Sequence, residues 1–295
     1  MNLRALAPLG VALIWGVNIP LMKGAIGHLH PFAFNTIRLT LSVIVLGIMD
    51  HRAQRGLEAK RIPWRGVVAV GLISGFIYQL LFLGGMGRTS AGHTAVLIGS
   101  GPFWTAIIGQ LTRTEQLRRL AWIGIALAFS GTILVVADNA GGATLHGDAL
   151  VLAAAIMWAS GTILSKHVLQ RMDALRLAFL YALVVLPLHW VVAWPHFTLQ
   201  ELEVAPSNFW IAVMYSGILS TGVAYALWNM GLVAVGPART AVYVNLVPVI
   251  ATLLAWAWLD EAIGPKQAIG AVLVISGLLL VQKKQPRREL IERES

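Results

Sequence analysis

Apolar residues run along this chain in long stretches separated by short polar breaks, and the stretches share one length. A helix needs about 20 mostly apolar residues to cross the hydrocarbon of a bilayer. Ten stretches qualify, at roughly 3–23, 32–50, 65–86, 91–112, 119–138, 147–168, 174–194, 207–231, 238–259 and 266–283. The breaks leave no room for a soluble domain. The first stretch is too long for a signal peptide and has no Ala-x-Ala-like cleavage site at its end, so it is read as a retained helix. The expectation is an all-α integral membrane protein with ten transmembrane helices.

Composition sharpens that reading. With 57% hydrophobic and 12% charged residues, the charges are too few to cover a water-facing surface. Their placement predicts orientation: with a cytoplasmic N-terminus, 18 of the 22 Lys and Arg fall on the cytoplasmic side. Only Lys23, Arg88 and Lys266 lie outside, with Arg38 within a helix. This bias puts both termini, including a basic tail at 284–295, in the cytoplasm of a bacterial cell with the protein in the inner membrane. A net charge of +9 then implies anionic inner-leaflet lipid as a partner and requires no nucleic acid. There is no Cys for disulfide or thiol chemistry, and no His pair at a helical metal-ligand spacing, so neither cofactor nor metal is expected.

The chain repeats itself. Trp158 follows Trp15, and Lys166 follows Lys23, by 143 residues, while Pro248 follows Pro102, Glu261 follows Glu115, Gly270 follows Gly124 and Gly277 follows Gly131 by 146. Units at 1–138 and 147–283 each hold five helices, an odd number, so the second enters the bilayer inverted. The Gly- and Ala-rich segment between them reads as an external linker. Inverted repeats of this kind build transporters, with the substrate site near the midplane between the halves and alternating access by rocking.

The doubled five-helix unit resembles the EamA family of the drug/metabolite transporter superfamily. The likeness rests on WGVNIPLMK in the first helix, Pro31 and Arg38 in the second, Gly84 to Ala95 leading into a Pro-bearing fourth helix, and Glu115 before a Gly-rich fifth. The Tyr78-Gln79-Leu80-Leu81-Phe82 stretch and the many Trp look most similar to bacterial aromatic amino acid exporters. The second copy departs at Ala159, where the first has Gly16. The resemblance implies transport of a small molecule through a central cavity by a chain that works without an obligatory protein partner, a monomer being sufficient.

Candidate lining residues follow from helical spacing. His93, Ser100 and Trp104 share one face of the fourth helix, and Tyr243 lies on the corresponding stripe of the ninth. Trp15 and Asn18 share a face of the first helix, with Trp158 the counterpart of Trp15. Tyr78 and Gln79 come from the third helix, Tyr225 and Asn229 from the eighth, and Asn245 from the ninth. Asn18, Asn229 and Asn245 serve equally well as interhelical hydrogen-bonding glue. Pro102 and Pro248 each remove a mid-span hydrogen bond, giving either a packing kink or a carbonyl that faces a cavity. Arg38 lies roughly 9 Å from the outer end of its helix, about the reach of a snorkelling side chain, and is either a structural Arg or a carboxylate receptor.

No Asp or Glu falls mid-span, so the membrane carboxylate of proton-coupled antiporters is missing. The predicted function is a facilitator or exchanger that exports small amphipathic metabolites, aromatic amino acids foremost. Other amino acids or organic cations remain the alternative substrates. An intramembrane enzyme would need a nucleophile, base or metal constellation, and the sequence offers none at membrane depth.

Overall fold

The computed structural model describes residues 3–23, 28–55, 61–89, 91–136, 144–197, 202–259 and 264–282. Asp138, Glu261, most of the inter-unit linker, the Lys23 side chain and the basic tail lie outside the described residues. Within them the chain is all-helical. We number the rods α1 (Ala7–Lys23), α2 (Pro31–Ala53), α3 (Trp64–Met86), α4 (Ala91–Gly99, continued by Gly101–Leu111) and α5 (Arg119–Val136). There follow α6 (Leu145–Val168), α7 (Ala174–Ala193), α8 (Ser207–Ala234), α9 (from Pro237–Ala241 through Val242–Asn245 to Leu246–Leu259) and α10 (Pro265–Gln282). Among the described residues, eight helices are long and apolar enough to cross a membrane; α1 and α5 carry shorter apolar segments at Arg4–Ile19 and Arg119–Val135. The protein is a multi-pass membrane protein.

In lipid, helices associate through close packing of small residues rather than through hydrophobic burial alone. The α5–α10 pair shows this most clearly. A Cβ added to Gly131 would come within 2.5 Å of the Gly270 carbonyl oxygen, and one added to Gly270 within 2.7 Å of that of Gly131. Gly124 and Gly277 oppose each other one or two turns away in the same reciprocal manner. Two backbones in direct contact leave no space for any side chain between them. The same device recurs where Gly16 of α1 meets Ile250 of α9, and where Gly85 of α3 meets Val151 of α6. α1 thus packs on α8 and α9, and α6 on α3 and α4.

Two helices depart from α geometry in mid-course. The turns Gly71–Ile77 of α3 and Tyr215–Val223 of α8 widen into π-helix. Widening shifts the hydrogen-bond ladder by one residue and changes which carbonyls are satisfied within the helix. α4 instead breaks at Ser100, so Pro102 falls at the start of Gly101–Leu111, where a missing N–H costs nothing. Pro248, in the first turn of Leu246–Leu259, is accommodated in the same way after the 3₁₀ turn Val242–Asn245.

The rods are tied at both ends. At the end carrying Met86, Thr144 Oγ1 donates to the Arg88 carbonyl, Thr89 Oγ1 donates to Asp148 Oδ1, and His93 Nδ1 lies 2.9 Å from Asp148 Oδ2. At the opposite end, Lys166 Nζ donates to the Leu232 carbonyl at 2.8 Å. There the Glu115 carboxylate also accepts the Ala238 N–H at 2.7 Å, capping α9 from the α4–α5 turn. Burial pushes the Glu115 carboxyl above its ordinary value, opposed by the Ala238 N–H, Lys166 and Arg239. Gly236 precedes that cap at φ 92°, with no room for a Cβ beside Glu115.

Substitution of Gly131 by Leu is expected to force α5 and α10 apart and destabilise the protein by about 3 kcal/mol or more, the upper range of overpacking costs. Gly84→Ala is the control: the added methyl would make its nearest contact at 3.6 Å and is expected to leave the melting temperature within about a degree or to raise it. Thermal unfolding in detergent measures both.

Candidate functional site

A cavity of about 520 Å³ lies between the helices, a size typical of small-molecule sites. Aromatic side chains from α1, α3, α6 and α8 form one continuous wall. Trp15 stacks on Trp228 with ring centroids 5.7 Å apart and meets Trp158 edge-on at 5.9 Å. Trp158 in turn contacts Tyr78 at 4.9 Å and Tyr225 at 5.8 Å, and Tyr78 stacks on Phe82. Each ring fixes its neighbours, so the wall is rigid without a continuous hydrogen-bonded framework.

The polar groups of the rings are held by the π turns. Trp15 Nε1 donates to the Ser220 carbonyl, inside the wide turn of α8, at 2.9 Å. His189 Nε2 lies 2.9 Å from the carbonyl of Gly75, inside the wide turn of α3. Both acceptors are main-chain oxygens that a regular helix would keep for its own ladder. Nearby, Tyr215 OH donates to the Ile14 carbonyl at 3.1 Å and Ser216 Oγ to Asn18 Oδ1 at 2.6 Å, joining α8 to α1.

Arg38 is the one formal charge among the described lining residues; no Asp or Glu is among them. Its Nε donates to Asn35 Oδ1 at 2.9 Å, and it lies within electrostatic reach of Tyr78 and Tyr225. Gln79, buried, donates from Nε2 to Tyr225 OH at 3.2 Å, while its Oε1 has no hydrogen-bond partner among the described residues. An acceptor buried without a donor is costly.

Of the residues expected from the sequence, Trp15, Asn18, Tyr78, Gln79, Trp158 and Tyr225 meet at this cavity, together with Arg38, Pro102 and Pro248. The others lie elsewhere. His93 pairs with Asp148 at the helix ends. Ser100 Oγ donates to the Leu97 carbonyl and accepts from Trp104 Nε1 at 3.1 Å, so the two share a helix face, and neither is among the described lining residues of the cavity. Asn229 donates to the Ala174 carbonyl at 3.2 Å, and Tyr243 packs with the core between α5, α9 and α10. Asn245 is fully buried beside Gly99 with both amide atoms unpartnered among the described residues. Sequence reasoning missed Asn35, Trp228 and His189. Asn35 stands three residues before Arg38, a spacing that could have found it; His189 carries no local signal, since its partners come from α2 and α3.

An all-helical, multi-pass membrane protein built around an aromatic cavity has the architecture of a small-solute transporter. The EamA-like transporter family model matches residues 3–137 and again 145–282, and the chain belongs to this family. It is 26% identical to a protein of Escherichia coli named "Probable amino-acid metabolite efflux pump", over 92% of this chain and 91% of that one. It is 22% identical to the "Uncharacterized transporter YoaV" of Bacillus subtilis, over 92% and 94%. A solved crystal structure superposes with a TM-score of 0.82 at 18% identity, covering 94% of this chain and 96% of the other, and so shares its fold.

Replacing Trp15 by Phe keeps the ring stack but leaves the Ser220 carbonyl without its donor. A loss of about 1–3 kcal/mol is expected, the cost of an orphaned buried acceptor, read as a lower thermal midpoint in detergent.

Proposed function

We infer that the protein exports small amphipathic metabolites, aromatic amino acids foremost, across the bacterial inner membrane through the central cavity. One observation carries this reading: an aromatic wall faces a space that also holds one guanidinium, Arg38. Ring stacking suits an aromatic side chain and the guanidinium a carboxylate.

Transport proceeds by alternating access between two inverted five-helix units at 1–138 and 147–283, with all ten helices crossing the bilayer. Support comes from positions that stand one repeat apart and touch. Gln79 bonds Tyr225 across 146 residues, Trp15 meets Trp158 across 143, and Gly99 lies beside Asn245, again across 146. Pairs of equivalent residues meet only near a two-fold axis, so the axis of the repeat would pass through the cavity. The excess of Lys and Arg orients the Lys166–Leu232 and Glu115–Ala238 ties toward the cytoplasm and the His93–Asp148 tie outward. Because no Asp or Glu is among the described lining residues, the substrate moves down its own gradient, as a facilitator or exchanger.

Counterflow of labelled phenylalanine into proteoliposomes preloaded with unlabelled phenylalanine tests the reading. Uptake above empty liposomes, competed by tryptophan and tyrosine and unchanged by an imposed pH gradient, is expected. Absence of uptake would remove the aromatic amino acid, and strict dependence on the gradient would remove the facilitator. In the same assay Trp158→Ala, removing the ring at the centre of the wall, is expected to lower uptake about tenfold or more, equivalent to roughly 1.4 kcal/mol of binding. Full activity of a folded Trp158→Ala protein would place the pathway elsewhere.

A further inference from the structure

Three helices contribute to one hydrogen-bonded chain that ends at Arg38. The carbonyl of Gly75, in the π turn of α3, can only accept, so His189 Nε2 carries the ring proton and Nδ1 is left as an acceptor in the neutral ring. That acceptor lies 3.5 Å from Asn35 Nδ2, at the long end of hydrogen bonding. With its NH₂ turned toward His189, the Asn35 amide must turn its oxygen toward α2, where Arg38 Nε donates to it at 2.9 Å. One main-chain oxygen therefore fixes a tautomer, the tautomer fixes an amide, and the amide fixes one edge of a guanidinium. His189 and Asn35 are both buried, and Phe76 packs edge-on against the imidazole at 5.2 Å, so the chain is held from its sides as well.

An Arg that only snorkels to an interface needs no such support, because water would solvate any rotamer. Arg38 lines the cavity, and a long Arg side chain carries rotamer entropy that a ligand would otherwise have to quench. Holding Nε in advance removes part of that cost and aims the rest of the planar fork, whose geometry matches a carboxylate.

We propose that His189 and Asn35 are positioning residues that preset Arg38 as the receptor for the substrate's carboxylate, so that the cavity selects carboxylates over amines of the same shape. This rests on the cavity being the transport site. It predicts that the organic cations accepted by some transporters are poor ligands here.

The test uses the full chain in nanodiscs and two probes that differ in the head group, 3-phenylpropionate and phenethylamine, with binding followed by quenching of the cavity tryptophans. The wild type is expected to bind the carboxylate at least about tenfold tighter, the scale of one charge-assisted bond. His189→Phe, which keeps the ring and its contact with Phe76, is expected to cut that ratio about tenfold. His189→Gln, which can still donate to Gly75 and accept from Asn35, is expected to restore it. Arg38→Gln is expected to abolish the preference altogether. A merely structural His189 would weaken both probes equally and leave the ratio alone, which overturns the proposal, as does a wild type without preference. If His189→Phe does not fold, Asn35→Leu breaks the same chain and is read in the same way. Selective carboxylate binding together with absent phenylalanine counterflow would retire the aromatic amino acid while leaving the relay intact.

Discussion

Every main-chain carbonyl in a bilayer must find a donor, and that requirement organises the centre of this protein. Within the π turns of α3 and α8, one main-chain carbonyl each also bonds a side chain of another helix. Trp15 from α1 takes one and His189 from α7 takes the other, at Ser220 and Gly75. Each bond joins two helices and fixes a ring at the same time. The aromatic wall and the orientation of Arg38 both descend from these two oxygens.

The second constraint is proximity. Glycines facing glycines bring α5 and α10 into backbone contact, and Gly16, Gly85 and Gly161 do the same for α1 and α6 against their neighbours. Helices this close cannot slide past one another without collision. The ties at the two ends differ in kind. One gathers Thr89, His93 and Asp148 around a single carboxylate, and the other caps α9 with Glu115 and satisfies the end of α8 with Lys166.

Much of the architecture was legible in the chain itself. Long apolar runs give helices because no other element satisfies its own backbone in lipid. Paired glycines 146 residues apart point to the positions of closest approach, and the 143-residue spacing paired Trp15 with Trp158, which do meet. Equal spacing placed Ser100 and Trp104 on one face, where they bond each other, while His93 pairs with Asp148; none of the three is among the described lining residues. Asn18 and Asn229 bond across helices, as lone amides in membrane helices tend to do.

Sequence by itself determined the membrane environment and the helices, because these follow from apolar length and composition, both of which are local or additive. Only the tertiary structure decided which residues share the cavity. π turns have no clear composition signal, and their released carbonyls become meaningful only when a donor arrives from elsewhere in the chain. His189 lies 114 residues from Gly75, and Trp15 lies 205 from Ser220. Pairings across such separations are set by how rods pack, and rod packing is a property of the assembled helices together.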